Sequence, residues 1–485
     1  MADILVLQAA RLGDLVQSKR LVLSVAKQGQ VHLAVDRSLA DMARLLYPDA
    51  VIHTLTLHGQ LDATGMEQNI RIVRQWQGMD FQTVFNCNFS ELTAALCRSF
   101  APESIVGYRP MPGGILRSPW ARMGFRLGGM RGLTPLNLVD FWGHFADEPV
   151  PSESVNPVAR RGGEGIGVVL AGRESRRSLP LPVLAQVVQT VHGLLDGPRI
   201  RLLGSRTEQP FARKLMRLLP SKLLDCVKDL SGKTDWSALI QAVAGLDILI
   251  TPDTGIMHLA AHLGTPVLAF FLSSAWCHET GPYGLGHHVW QATTHCAPCL
   301  ESAPCPYQVR CLSCFQSGDF LRSLALVMGE NQAVSSISSA GSQVWRSDLD
   351  GLGGRFDLLA GCDESHKQRN AVRAVLAEFL RLPSLPIDEA ARLHSIRENL
   401  CPDSEWMLPP WRYAGCRRRR CVSLLSYLCT VVPCLLDDIA PGHWQIWAIP
   451  CNALKPRCST VHLRACASWH WAQRRSPSWN IPFYR

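Results

Sequence analysis

Short apolar runs alternate with segments of helical period from the N-terminus to about residue 271, and the alternation stops once and restarts. In the first half, Ile4–Leu7, Val31–Val35, Val51–Leu57 and Thr83–Asn86 read as strands. Residues 14–27, 38–46 and 63–76 read as helices between them. A Pro/Gly-rich stretch at 110–114 and a polar segment at 149–165 interrupt the pattern. It resumes with strands at 167–170, 200–203, 246–250 and 266–271, separated by helices over 181–194, 207–218 and 235–244. Strand–helix alternation at this spacing predicts parallel sheets covered on both faces, and 485 residues are too many for one core. The expected fold is α/β, with two Rossmann-like domains, 1–150 and 165–330, facing across a cleft. In such sheets ligands bind at the carboxyl ends of the strands, so the turns located there carry the functional argument.

The strongest of these turns is Thr251-Pro252-Asp253-Thr254-Gly255-Ile256-Met257-His258. A buried strand delivers an acid, a hydroxyl and a glycine to the cleft mouth, and a helix begins at once. Gly255 lets a ligand approach the backbone, and the free N–H groups and positive end of the new helix suit a diphosphate. His258 can add a donor, and Asp253 can accept from sugar hydroxyls. The competing reading makes Asp253 or Thr254 a helix cap and His258 a polar core residue. At the first strand-to-helix turn, Arg11-Leu12-Gly13-Asp14 places an acid that is either a cap or a general base looking across the cleft. The matching turn of the second domain, Ala171-Gly172-Arg173-Glu174-Ser175-Arg176-Arg177, offers three arginines for phosphate oxygens or forms a solvated basic loop.

Taken in this order, these turns resemble family-nine glycosyltransferases, the heptosyltransferase family of lipopolysaccharide core assembly, over roughly residues 3–315. The block Asp253-Thr254-Gly255, His258-Leu259-Ala260-Ala261, Gly264-Thr265-Pro266 and Gly281-Pro282-Tyr283-Gly284 carries most of the resemblance, and Leu203-Gly204 with Glu208 fits the family's central loop. The resemblance implies a GT-B architecture and inverting transfer without a catalytic metal or other cofactor. The N-terminal domain would hold a glycolipid or oligosaccharide acceptor, and the C-terminal one a nucleotide sugar such as ADP-heptose. It puts Asp14 at the base's position and Asp253, Thr254, Gly255, His258 and Gly204 on the donor side. Arg173 would also lie on the donor side; Arg176 or Arg177 would stand where the family commonly has a lysine, and the sequence does not fix which. Another nucleotide-sugar transferase or a nucleotide-sugar epimerase is the alternative on the same architecture. A dinucleotide-dependent oxidoreductase is disfavoured, because Gln8 to Gly13 lacks the G-x-G-x-x-G spacing.

Cys296, Cys299, Cys305, Cys311 and Cys314 form two CxxC pairs around a fifth cysteine. Such spacing suits a structural zinc; free or disulfide-capable thiols and an iron–sulfur site are the other readings. A zinc-dependent binding module built on this segment would leave the Asp253 turn without a purpose. Residues 331–410 read as a mixed helix and coil extension without assignable chemistry. Residues 411–485 differ from everything before them, with seven Cys, six Trp, no Glu, and eleven Lys and Arg against two acids. This tail holds the whole formal charge of +9, while the preceding 410 residues balance 38 basic against 38 acidic side chains. A neutral body gives no electrostatic case for nucleic acid. The tail reads as disordered or non-native sequence. An apolar stretch at 422–436 beside Arg417–Arg420 offers a peripheral contact with the inner membrane as the competing reading. No apolar run reaches transmembrane length, the start reads as a buried strand rather than a secretory signal, and the expected location is cytoplasmic.

Overall fold

The computed structural model describes residues 2–59, 62–129, 132, 134–170, 175–299, 303–329 and 341–381. Arg173 and the 411–485 tail therefore lie outside the described residues. Two sheets dominate. The first contains β1 (Ala2–Leu7), β2 (Gly29–Asp36), β3 (Val51–Leu55), β4 (Phe81–Asn86), β5 (Ile105–Met111) and β6 (Gly114–Arg117), in the order β3-β2-β1-β4-β5-β6. All neighbours are parallel except β5 and β6, which form an antiparallel hairpin at the edge. The Pro/Gly-rich interruption seen in the sequence is the turn of this hairpin.

The second sheet contains β7 (Ile166–Val169), β8 (Ile200–Leu203), β9 (Val227–Asp229), β10 (Ile248–Pro252), β11 (Val267–Phe271) and β12 (His288–Ala292), followed by β13 (Ser342–Leu349) and β14 (Gly354–Ala360). Its order is β14-β13-β12-β11-β10-β7-β8-β9. Stripped of the edge hairpins, both sheets run in the doubly wound order with a reversal beside their first strand, β1/β4 and β7/β10. This is the two-domain α/β architecture expected from the sequence, of GT-B type.

Burial explains the strand choice. β10 and β11 are buried at every position, as parallel strands covered on both faces must be, and their sequences Ile-Leu-Ile-Thr-Pro and Val-Leu-Ala-Phe-Phe are continuously apolar or small. One core gathers Leu5, Leu7, Trp76, Phe81 and Val84 under the first sheet. A larger one gathers Ile166, Val168, Val187, Ile250, Phe270 and Trp290 under the second.

Two elements depart from the sequence reading. The helix expected over 14–27 is two helices, Leu12–Gln17 and Lys19–Val25, broken at Ser18, whose hydroxyl donates to the Leu15 carbonyl. That side chain competes with the helical ladder at the point of the break. The second domain also does not close at 330. β13 pairs antiparallel with β12, β14 extends the sheet, and the His366–Arg381 helix follows, its Arg373 binding the carboxylate of Asp350 at 2.6 Å. Much of the region read as an extension is therefore part of the second domain.

A buried polar hub ties segments far apart in sequence. Arg20, on the Lys19–Val25 helix, meets the Asp140 carboxylate at 2.5 Å, and the Tyr283 hydroxyl and the Gly354 N–H each donate to it at 2.7 Å. Gly353 sits at φ +143°, and a Cβ there would lie 2.0 Å from the Asp140 side chain. Among the described residues, no helix is long and apolar enough to cross a membrane.

Candidate active site

The Gly255–Leu263 helix starts directly from β10, and Thr254 caps it by accepting the Met257 N–H at 3.4 Å. The capping reading is thus correct for Thr254. It is not correct for Asp253, whose carboxylate is 7% exposed and pairs with Arg177 at 2.6 Å. The Thr280 hydroxyl donates to the same carboxylate at 3.2 Å, and His258 Nε2 lies 3.8 Å from its other oxygen. Burial pushes the His258 imidazole down to about 4, outweighing the nearby Asp253 charge. His258 is therefore neutral near pH 7 and can donate one hydrogen bond without carrying charge.

The three-residue 3₁₀ turn Ser175–Arg177 separates the two neighbouring arginines. Arg177 turns inward and also donates to the Asp253 carbonyl at 3.1 Å, whereas Arg176 donates to the Ala303 carbonyl at 2.7 Å. Of the two neighbouring arginines, Arg177 is the one paired with the Asp253 carboxylate. Gly204 lies at the end of β8, where its carbonyl accepts from Gly232 at 2.8 Å and the Glu208 side chain packs against it. Glu208 in turn accepts the Ser205 N–H at 2.6 Å, so this segment shapes the loop beside β7 and not the Asp253 turn itself.

On the opposite side, Asp14 stands in the first turn of the Leu12–Gln17 helix and accepts the Arg11 N–H at 3.1 Å. Loss of solvent is the main cause that raises its carboxyl to about 6, and the charge of Asp253 adds to it. Among the described residues no cation pairs with Asp14. The two helix starts abut: a Cβ on Gly13 would come within 3.2 Å of the His258 ring, and one on Gly255 within 3.0 Å of Leu12. The structure thus brings Asp14, Asp253, Thr254, Gly255, His258 and Arg177 together across one interface.

Several neighbours were not found by sequence reasoning. Thr280 is one, and its residue type gave no signal. Lys19 is another: five positions after Asp14, it donates to Asn156 at 3.1 Å, and burial lowers its ammonium to about 8. With Gln17, Asn156 and Tyr283 it lines a small cavity behind His258.

The cysteines of the 296–314 segment share a neighbourhood, since burial and then the nearby Cys299, Cys296 and Cys305 thiols raise the Cys311 thiol. They do not converge, however: among the described residues no three His, Cys, Asp or Glu side chains form a group able to hold a metal ion. Cys311 and Cys314 instead pack into the core of the second domain, and the Cys314 thiol donates to the Cys311 carbonyl at 3.2 Å. The placed thiols do not fit a zinc ligand set, although their spacing does.

An α/β protein with two doubly wound sheets and facing switch-point turns is the class that fold and site define. One segment of the chain, residues 189–308, matches Glycosyltransferase family 9 (heptosyltransferase). It includes the Asp253–His258 turn and excludes Asp14. Lipooligosaccharide heptosyltransferase 2 of Haemophilus influenzae is 28% identical over 78 residues, 16% of this chain and 22% of that protein. The match therefore spans about a fifth of the relative's length. Among solved structures, the E. coli ADP-heptose lps heptosyltransferase II is 14% identical, covering 58% of this chain and 88% of that one with a TM-score of 0.43. A glycosyl transferase family 9 protein from Veillonella parvula is also 14% identical, covering 58% and 83% with a TM-score of 0.45. The strand order carries the fold without these likenesses.

Proposed function

We propose that the chain is an inverting glycosyltransferase that moves a sugar, heptose in the first instance, from a nucleotide-diphosphate donor such as ADP-heptose to a lipopolysaccharide-type acceptor. The observation that carries this reading is Asp14, without a cation partner and shifted to about 6, facing the helix start that bears Asp253 and His258. An acceptor hydroxyl gives its proton to the Asp14 carboxylate while its oxygen bonds to the anomeric carbon. The bond from that carbon to the diphosphate oxygen breaks on the opposite face, and the electron pair leaves with the nucleoside diphosphate. The N–H groups of the Gly255–Leu263 helix and the neutral His258 stabilise the leaving charge, so these residues can serve the step without a metal. The Haemophilus influenzae relative, named a heptosyltransferase, supports the choice of sugar.

The test has two parts. Thermal shift against a panel of nucleoside diphosphates identifies the donor nucleotide, because stabilisation grows with occupancy. Product formation with the matching nucleotide sugar then reads the transfer and its stereochemistry. No stabilisation by any nucleoside diphosphate would defeat this reading. Interconversion of the sugar without an acceptor would favour an epimerase.

A further inference from the structure

We propose that the β5–β6 hairpin of the first domain is a docking surface for an anionic lipid bilayer. Between residues 104 and 139 the sequence carries five arginines and no acid, a local excess within a body whose 38 basic and 38 acidic side chains balance as a whole. Three of them, Arg109, Arg117 and Arg122, are half-buried, and among the described residues no carboxylate pairs with any of the three. The Nε atoms of Arg109 and Arg117 are buried and lack hydrogen-bond partners.

Cross-strand register sorts the hairpin's two faces. Arg109 lies opposite Leu116, and Met111 opposite Gly114, which puts Arg109, Met111 and Leu116 on one face. Met111 is 44% exposed and Leu116 38%. On the other face, Arg117 lies between two aromatic rings, 4.2 Å from the Phe89 centroid and 3.9 Å from that of Phe125. Phe89 follows β4 at the carboxyl edge of the sheet and is itself 38% exposed. Exposed apolar side chains flanked by arginines that have no carboxylate partner among the described residues have the composition of an interfacial anchor. Charge complementarity selects the occupant: a surface of anionic headgroups supplies the acceptors these guanidiniums lack. This inference does not depend on the transfer reaction being correct.

Sedimentation of the full chain with vesicles of phosphatidylcholine, with and without phosphatidylglycerol, tests it. Binding should require phosphatidylglycerol and weaken with salt. At about fivefold per basic residue near an anionic surface, Arg109→Glu with Arg122→Glu should cost ~25-fold or more. Met111→Ser with Leu116→Ser should weaken binding through the apolar contribution, and both pairs should keep the parent's circular dichroism and melting temperature. Equal binding to both kinds of vesicle, or no binding to either, would overturn the proposal. Full retention in both folded double variants would do so as well, and would move any membrane contact to the 411–485 tail, which all these proteins contain.

Discussion

In the first sheet, the acid beside the strand-order reversal meets one backbone N–H and no cation. In the second, the acid in the corresponding place holds an arginine at 2.6 Å, accepts a threonine hydroxyl and faces a histidine. The two sheets share their strand order, so topology does not account for the contrast. Asp14 keeps a displaced proton affinity chiefly because burial strips its carboxylate of solvent, and among the described residues no cation offsets that loss. Asp253 is committed to partners, with Arg177 and Thr280 fixing its carboxylate. One fold repeated twice thus yields, among the described residues, one carboxylate without a cation and one held in an ion pair.

Replacing Asp14 by Asn should break the comparison most severely. Loss of a general base costs ~10²–10⁴-fold in turnover, while nucleotide affinity measured by calorimetry should stay near the parent value. Turnover within about threefold of the parent would reduce Asp14 to its helix-capping bond.

Arg177→Ala attacks the other member. It leaves Asp253 buried without its cation, which typically costs ~3–5 kcal/mol, and urea unfolding should report a loss of that order. Arg177→Lys should recover part of it, since the charge is kept and the forked geometry lost. Equal stability of all three proteins would show that the pair contributes nothing net.

The pH profile sharpens the contrast more gently. Asp14 works as a base only when ionised, so kcat/KM should fall about tenfold per unit below pH 6 and level off above it. His258, pushed down to about 4, should add no limb between pH 5 and 8. The stability linkage has the opposite sign. A carboxyl whose folded value lies above its usual 3.8 favours the protonated native state, so its contribution is present at low pH and lost as pH rises through 6. Asp14→Asn should therefore raise the melting temperature at pH 7.5 relative to the parent, and that advantage should shrink on acidification. A pH-independent difference would assign the effect to packing.

The smallest effect belongs to His258→Gln, which retains a donor. A few-fold weakening of nucleotide binding is expected, and an unchanged dissociation constant would remove His258 from the donor loop.

Much of this site was legible in the sequence because the strands that deliver it are short, apolar and regularly spaced. The Asp253 turn follows an unbroken apolar strand, and the cap at Thr254 is a local matter of residue type. The choice between Arg176 and Arg177 was not legible. Successive residues of a 3₁₀ turn point about 120° apart, and which of them faces Asp253 depends on how the whole turn is seated. β13 and β14 were missed because Ser-rich and Gly-rich segments flank them, and β12, on which β13 pairs and thereby carries β14, lies far upstream in the chain. The role of Tyr283 was equally hidden: its hydroxyl serves Asp140, which comes from the first half of the chain.

The meeting of Gly13 with His258, and of Gly255 with Leu12, has a consequence for how this sequence can change over generations. A methyl group on either glycine would press on a side chain of the opposite half, which would have to give by a few tenths of an ångström to admit it. Change at one side of the seam is therefore coupled to how far the facing side chain can yield. A collection of random variants selected for activity should tolerate replacement of Gly13 or Gly255 more readily when His258 or Leu12, respectively, is replaced by a smaller residue in the same clone.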